Sequence, residues 1–165
     1  MATSPKSGEK TPDQQQLPAQ KAQREPQDAA YARAQDAIAT ARTSDASDLT
    51  LSGDDFSDLT ELPPDVGTLT ALTDLSLSGT QVSDISALSG LTALSGLSLL
   101  GTPVNDLSPI LPLTQLVDAP KYGGLVFRNT AAARADRRIA EIAGIQDDAK
   151  RATDLCAYLK NVTPT

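Results

Sequence analysis

The chain has 165 residues, 39% of them apolar and 3% aromatic, and a formal net charge of −7. That length builds one ordinary domain, and with 2 Phe and no Trp its core must come from Leu, Ile, Val and Ala, leaving few of the anchors that dominate interfaces. A single cysteine excludes an intramolecular disulfide, and the absence of histidine excludes most zinc sites and every histidine-based catalytic triad.

Residues 1 to 26 are rich in Pro, Gln, Ser and Lys, a composition that cannot support a core and predicts a disordered tail. They contain no apolar h-region, and no run approaches the length of a membrane span. The expectation is therefore a cytoplasmic address with no membrane partner. The alternative is a bacterial effector secreted by a non-Sec route, which a Ser/Pro-rich start would also suit. From residue 27 to 44 the composition changes to "QDAAYARAQDAIATAR", with Tyr31, Ala34, Ile38 and Ala41 at helical spacing. This predicts an N-terminal capping helix that covers the open end of a core.

Beyond it the chain repeats itself. Leu72, Leu75, Leu77, Thr80, Val82, Leu88 and Leu91 recur as Leu94, Leu97, Leu99, Thr102, Val104, Ile110 and Leu113, each 22 residues on, and Ile85 is answered by Leu107. A fixed period of this size marks a solenoid, which needs about three stacked units before its core is continuous. The pattern L-x-x-L-x-L-x-x-T-x-V resembles the leucine-rich repeat family, with Thr where the family usually has Asn. The 22-residue period with "SDIS" and "NDLSP" is similar to the bacterial, internalin-like subclass. The resemblance implies an α/β solenoid of about three to four repeats over residues 45 to 124. Parallel strands would line its concave side, with short 3₁₀ or irregular segments outside.

An irregular first unit places Leu49 and Leu51 against Leu75 and Leu77 after 26 residues, lengthened by "PPDVGT". Each unit has room for a 3₁₀ turn, and Thr60, Ser86 and Ser108, the last followed by Pro109, stand where hydroxyl N-caps are expected. A fourth strand is expected at "LTQLVDAPKYGG", with Leu113 and Leu116 in register. There Ala119 and Lys121 fall at leucine positions, so the core should be closing. Residues 125 to 165 predict a C-terminal cap of two helices broken near Gly144. Asp136 and Asp147 would be its N-caps, and Ile139, Ile142, Ile145, Ala152, Leu155, Cys156 and Leu159 its apolar stripes. Cys156 reads as a compact core residue rather than a reactive thiol.

Little in the chain points to catalysis. "GLSLLG" approaches the nucleophile elbow G-x-S-x-G but has Leu100 at the fifth position and no histidine to activate Ser98. Asp54/Asp55 and Asp147/Asp148 fit no calcium-loop pattern, and "GTQVSD" and "GTPVND" lack the lysine of a nucleotide-binding loop. The reading is a non-enzymatic protein with no cofactor and no metal.

Charge is more informative. Between Thr43 and Pro120 there are eleven acids and no Lys or Arg. A nucleic-acid partner is therefore not expected, and a protein with a basic surface is. By the family resemblance, the residues alternating with the core leucines form the partner-binding face. They stand in three columns: Asp48, Asp74, Gly96 and Asp118; Thr50, Ser76, Ser98 and Pro120; and Ser52, Ser78, Leu100 and Tyr122. The sequence thus predicts a protein-protein interaction module, acidic at one end of its face and apolar toward Leu100 and Tyr122. A regulatory or adaptor fragment of a longer protein is a further alternative.

Overall fold

The computed structural model describes residues 18 to 120 and 124 to 162; for 18 to 27 only the backbone is described. The first element, α1 (Pro18–Thr43), starts well before the predicted boundary. Part of the segment expected to be disordered is thus helical, and the rest of it lies outside the described residues. The local chemistry accounts for the difference: Pro18 is suited to the first helical position, and Ala, Gln, Lys, Arg and Glu of "AQKAQRE" are strong helix formers. Ala30, Ala34, Ile38 and Ala41 form the buried stripe, with Tyr31 half-buried beside it.

Four short strands follow, β1 (Asp48–Thr50), β2 (Asp74–Ser76), β3 (Gly96–Ser98) and β4 (Leu125–Val126), joined in one parallel sheet in the order β1-β2-β3-β4. Their register sets Leu49, Leu75, Leu97 and Leu125 in a single row facing the core. Short 3₁₀ segments lie between the strands and after β3, at Asp54–Phe56, Pro64–Thr68, Ser86–Gly90 and Ser108–Ile110; the first packs on α1 and the last three pack on one another in sequence order. Pro64 opens its segment and Pro109 follows Ser108 at the start of its own, each with φ already set.

All sixteen positions that define the 22-residue period are buried, and the fourteen apolar ones belong to one hydrophobic cluster running from α1 to the C-terminal helices. Each leucine so buried is worth about 1.5 to 3 kcal/mol over exposure. The threonines of the pattern earn their burial by satisfying themselves: Thr80 donates to Leu77 O at 2.9 Å and Thr102 to Leu99 O at 2.8 Å. Immediately before them Gly79 and Gly101 take φ of +75° and +74°, a left-handed conformation that a Cβ disfavours.

The expected hydroxyl caps are corrected by the hydrogen bonds. Ser86 and Ser108 do open 3₁₀ segments, but their hydroxyls cap nothing; Asp84 and Asp106 accept from the Ser86 and Ser108 amides, each at 2.8 Å. A carboxylate two residues upstream is the stronger acceptor, and each serine hydroxyl donates to it as well. The Ser86 hydroxyl and amide hold Asp84 below the usual carboxylate range. Thr60 precedes its segment by several residues, and Pro63 takes the cap position instead.

The fourth strand is also corrected. "LTQLVD" turns into a short helix, α2 (Gln115–Asp118), and β4 lies inside the segment expected to be purely helical cap. Leu125 and Phe127 fill the leucine sites that Ala119 and Lys121 could not, and both are fully buried. Asn129, at φ +58°, stands where Gly79 and Gly101 stand, and Thr130 donates to Phe127 O at 2.9 Å as the earlier threonines do. The unit is therefore lengthened rather than lost, with the extra residues between α2 and β4.

The C-terminal region has three helices instead of two: α3 (Ala131–Ala135), α4 (Arg137–Ala143) and α5 (Asp148–Val162). Thr130 caps α3 by accepting from Ala133 N at 3.1 Å, Asp136 caps α4 through Arg138 N at 2.7 Å, and Asp147 accepts from Lys150 N at 2.7 Å at the start of α5. Helix α5 packs on α2, α4 and β4. No helix among the described residues is long and apolar enough to cross a membrane.

Candidate functional site

Because side chains alternate along a strand, burying the leucine row leaves its neighbours on the opposite face of the sheet. Asp48 pairs in register with Asp74 and Asp74 with Gly96; Thr50 pairs with Ser76, Ser76 with Ser98, and Ser98 with Val126. These residues line a shallow depression of about 260 Å³ that runs across all four strands and reaches Gly124. The structure thus brings together Asp48, Thr50, Asp74, Ser76 and Ser98 of the predicted set. Asp48 and Thr50 are exposed, and Asp74, Ser76 and Ser98 are half-buried.

Local geometry organises the acidic end. Thr73 Oγ1 donates to Asp74 Oδ2 at 2.9 Å, and Ser47 Oγ donates to Asp48 Oδ2 at 2.6 Å, so both carboxylates are oriented by a neighbouring hydroxyl. The Asp74 carboxylate leans over Gly96, where a Cβ would collide with it. Glycine in the third strand therefore lets the acid in the second keep this position, and a side chain there would make the carboxylate swing aside. Along the hydroxyl columns Ser78 Oγ lies 2.7 Å from Ser98 Oγ and accepts from Ser76 Oγ at 3.3 Å, which gives the middle of the face both donors and acceptors without charge.

Ser52, Ser78 and Leu100 continue the third column, with Leu100 41% exposed, but the fourth members of all three columns differ from expectation. Asp118 is at the end of α2 and outside the strand register; Gly124 takes the place predicted for it. Val126 replaces Pro120. Gly101 N donates to Arg128 O at 3.0 Å, which sets Arg128 beside Leu100 where Tyr122 was expected. Tyr122 itself, like Lys121, lies outside the described residues. The face consequently changes from acidic at Asp48 and Asp74 to basic at Arg128.

Arg128 was missed because the fourth unit was sought at the 22-residue spacing. The signal that would have found it is "LVFRNT", in which Leu125, Phe127 and Thr130 repeat the spacing of Leu97, Leu99 and Thr102. Among the described residues no three Cys, Asp or Glu side chains gather as a metal would require. Cys156 is half-buried, and burial pushes its thiol up, away from the thiolate that nucleophilic chemistry needs, against a smaller opposing effect of Lys160. No family model matches this chain, and no curated protein matches it.

Proposed function

We propose that the chain is a small leucine-rich repeat solenoid of the internalin-like kind, working as a non-enzymatic protein-binding module. The observation that carries this reading is the continuous strand face. Oriented carboxylates at Asp48 and Asp74 pass into the hydroxyl run of Ser76, Ser78 and Ser98, and then into exposed Leu100. Such a surface is shallow and polar, suited to a complementary protein surface rather than to enclosing a small molecule. A partner with lysine or arginine opposite Asp48 and Asp74 fits its charge, and the lack of aromatic anchors among the described residues of the face points to modest affinity.

Affinity capture with the whole chain as bait, compared with Asp48→Asn/Asp74→Asn, tests the reading. A partner that uses the strand face should associate more slowly with the double variant and with weaker salt dependence, because long-range attraction steers encounter. A partner whose association ignores both substitutions docks elsewhere and refutes it.

A further inference from the structure

At the corner where β4 leads into α3 and α4 lies a second depression, of about 430 Å³, larger than the one on the strand face. Its apolar lining comes from Leu100, Ala133, Ala140 and Ala143, and its cations are Arg128 and Arg134. Leu100 and Val162 are the large hydrophobic side chains left exposed among the described residues, so the site begins where apolar surface is already uncovered.

The two arginines are set apart from their neighbours. Arg137 and Arg138 both pair with Glu141, and Arg151 pairs with Asp148, whereas neither Arg128 nor Arg134 pairs with a carboxylate among the described residues. Arg128 Nε donates to Ala143 O at 3.0 Å, which fixes the guanidinium plane and directs its remaining N–H groups away from that bond. A half-anchored arginine beside an exposed leucine is preorganised for a carboxylate carried next to an aliphatic side chain.

The geometry points to an acidic peptide segment as the occupant, with carboxylates on Arg128 and Arg134 and one aliphatic side chain on Leu100. A nucleic acid would also bring negative charge, but its extended backbone would run onto Asp74 and Asp48 of the adjoining strand face. A short peptide covers the corner alone. This site shares no lining residue with the strand-face depression, and only Leu100 with the wider strand face, so it stands independently of what the acidic end of that face binds.

Fluorescence anisotropy tests the inference, using the whole chain and a fluorescein-labelled hexapeptide of alternating glutamate and leucine. Saturable binding at low salt should weaken as salt rises. Arg128→Gln and Arg134→Gln should each loosen it by about threefold and together by about tenfold, as expected for exposed ion pairs. Leu100→Ser should loosen it too, while Asp74→Asn should leave it unchanged or slightly tighter, so a failure here is distinguishable from a failure of the strand-face reading. Should Arg128→Gln disturb folding through its lost bond to Ala143, exposed Arg134 keeps the test intact. Equal binding of a lysine-leucine hexapeptide, no effect in the double variant, or displacement by a thymidine oligonucleotide at lower concentration than by unlabelled peptide would each overturn it.

Discussion

The two edges of the sheet are covered by different physics. At β1 the covering element is α1, whose buried stripe of Ala30, Ala34, Ile38 and Ala41 is apolar and small. At β4 the cover is α5, where Ala152, Leu155 and Leu159 are joined by Arg151, a cation only 5% exposed. Arg151 Nε donates to Leu125 O at 2.7 Å and Nη1 to Ile145 O at 2.6 Å, while Nη2 pairs with Asp148. An edge strand presents carbonyls that no further strand will take, and here a side chain from 26 residues away takes one of them. An apolar cap tolerates small shifts, but a hydrogen-bonded one fixes position.

The largest effect expected from this asymmetry is loss of the directional cap. A chain ended after Pro120 lacks β4, Phe127 and Arg151, leaving Leu97 and Leu99 uncovered, and should aggregate or melt without cooperativity in a thermal circular-dichroism scan. A soluble, cooperatively melting fragment would show that the fourth strand is dispensable. Within the intact chain Arg151→Ala should cost about 3 kcal/mol in urea denaturation, because it leaves the buried Leu125 carbonyl, and the half-buried Ile145 carbonyl and Asp148 carboxylate, with a lost partner. Ile38→Ala at the apolar edge should cost about 2 to 5 kcal/mol through its cavity. Arg151→Met, which keeps bulk but not bonds, should still be strongly destabilising; a near-native midpoint would mean that packing alone covers both edges.

The same contrast decides what could be read before the structure. The sixteen leucine-set positions, the apolar stripe of α1, and Asp136 and Asp147 as caps were legible, since each depends on spacing within one element or one period. Arg151 was not, because a lone arginine on a helix reads as solvated unless the strand carbonyl across from it is known. The fourth strand was hidden by a change of spacing: Leu97 pairs with Leu125, 28 residues on, whereas Leu75 pairs with Leu97 at 22. At the candidate site the register of β1 to β3, and with it the places of Asp48, Thr50, Ser52, Asp74, Ser76, Ser78, Ser98 and Leu100, followed from aligning the leucines of successive units. Its basic end did not, because that end belongs to the displaced strand.

A smaller effect tests that displaced register directly. If Asn129 answers Gly79 and Gly101, then Gly101→Ala should cost about 1 to 2 kcal/mol for forcing a Cβ into the left-handed region, while Asn129→Gly should be neutral or slightly stabilising. Thr102→Val should cost about 0.5 to 1.5 kcal/mol by removing the hydroxyl bond to Leu99 O, and Thr130→Val somewhat more, because Thr130 also accepts from Ala133 N. Equal losses at the two threonines would show that the bond from Ala133 N adds nothing, and no loss at Thr130 would place it outside the pattern.

The smallest effect separates the edges by pH. Tyr158 Oη donates to Asp136 Oδ2 at 2.6 Å, tying α5 to α4, and this bond is the main reason that Asp136 is held below its ordinary value of 3.8 and Tyr158 is raised above its ordinary value of 10.0. The lowered acid binds fewer protons folded than unfolded, so its contribution is complete above 3.8 and is lost as the pH falls through the lowered value. The raised tyrosine holds its proton longer in the folded state. Its contribution is complete below 10.0 and is lost as the pH rises through the raised value. Tyr158→Phe should therefore be less stable than the parent near neutrality and approach it in both acid and alkali. Approach in acid is incomplete, since a protonated Asp136 carboxyl still accepts from the Tyr158 hydroxyl, more weakly, while the bonds from Arg138 N and Ile139 N are common to both proteins and cancel. The deficit of Ile38→Ala, whose contacts titrate with nothing, should stay constant over the same range. Urea midpoints for both variants from pH 3 to 11 measure this, and a Tyr158→Phe deficit as flat as that of Ile38→Ala would show that the hydroxyl bond contributes nothing to joining α5 to α4.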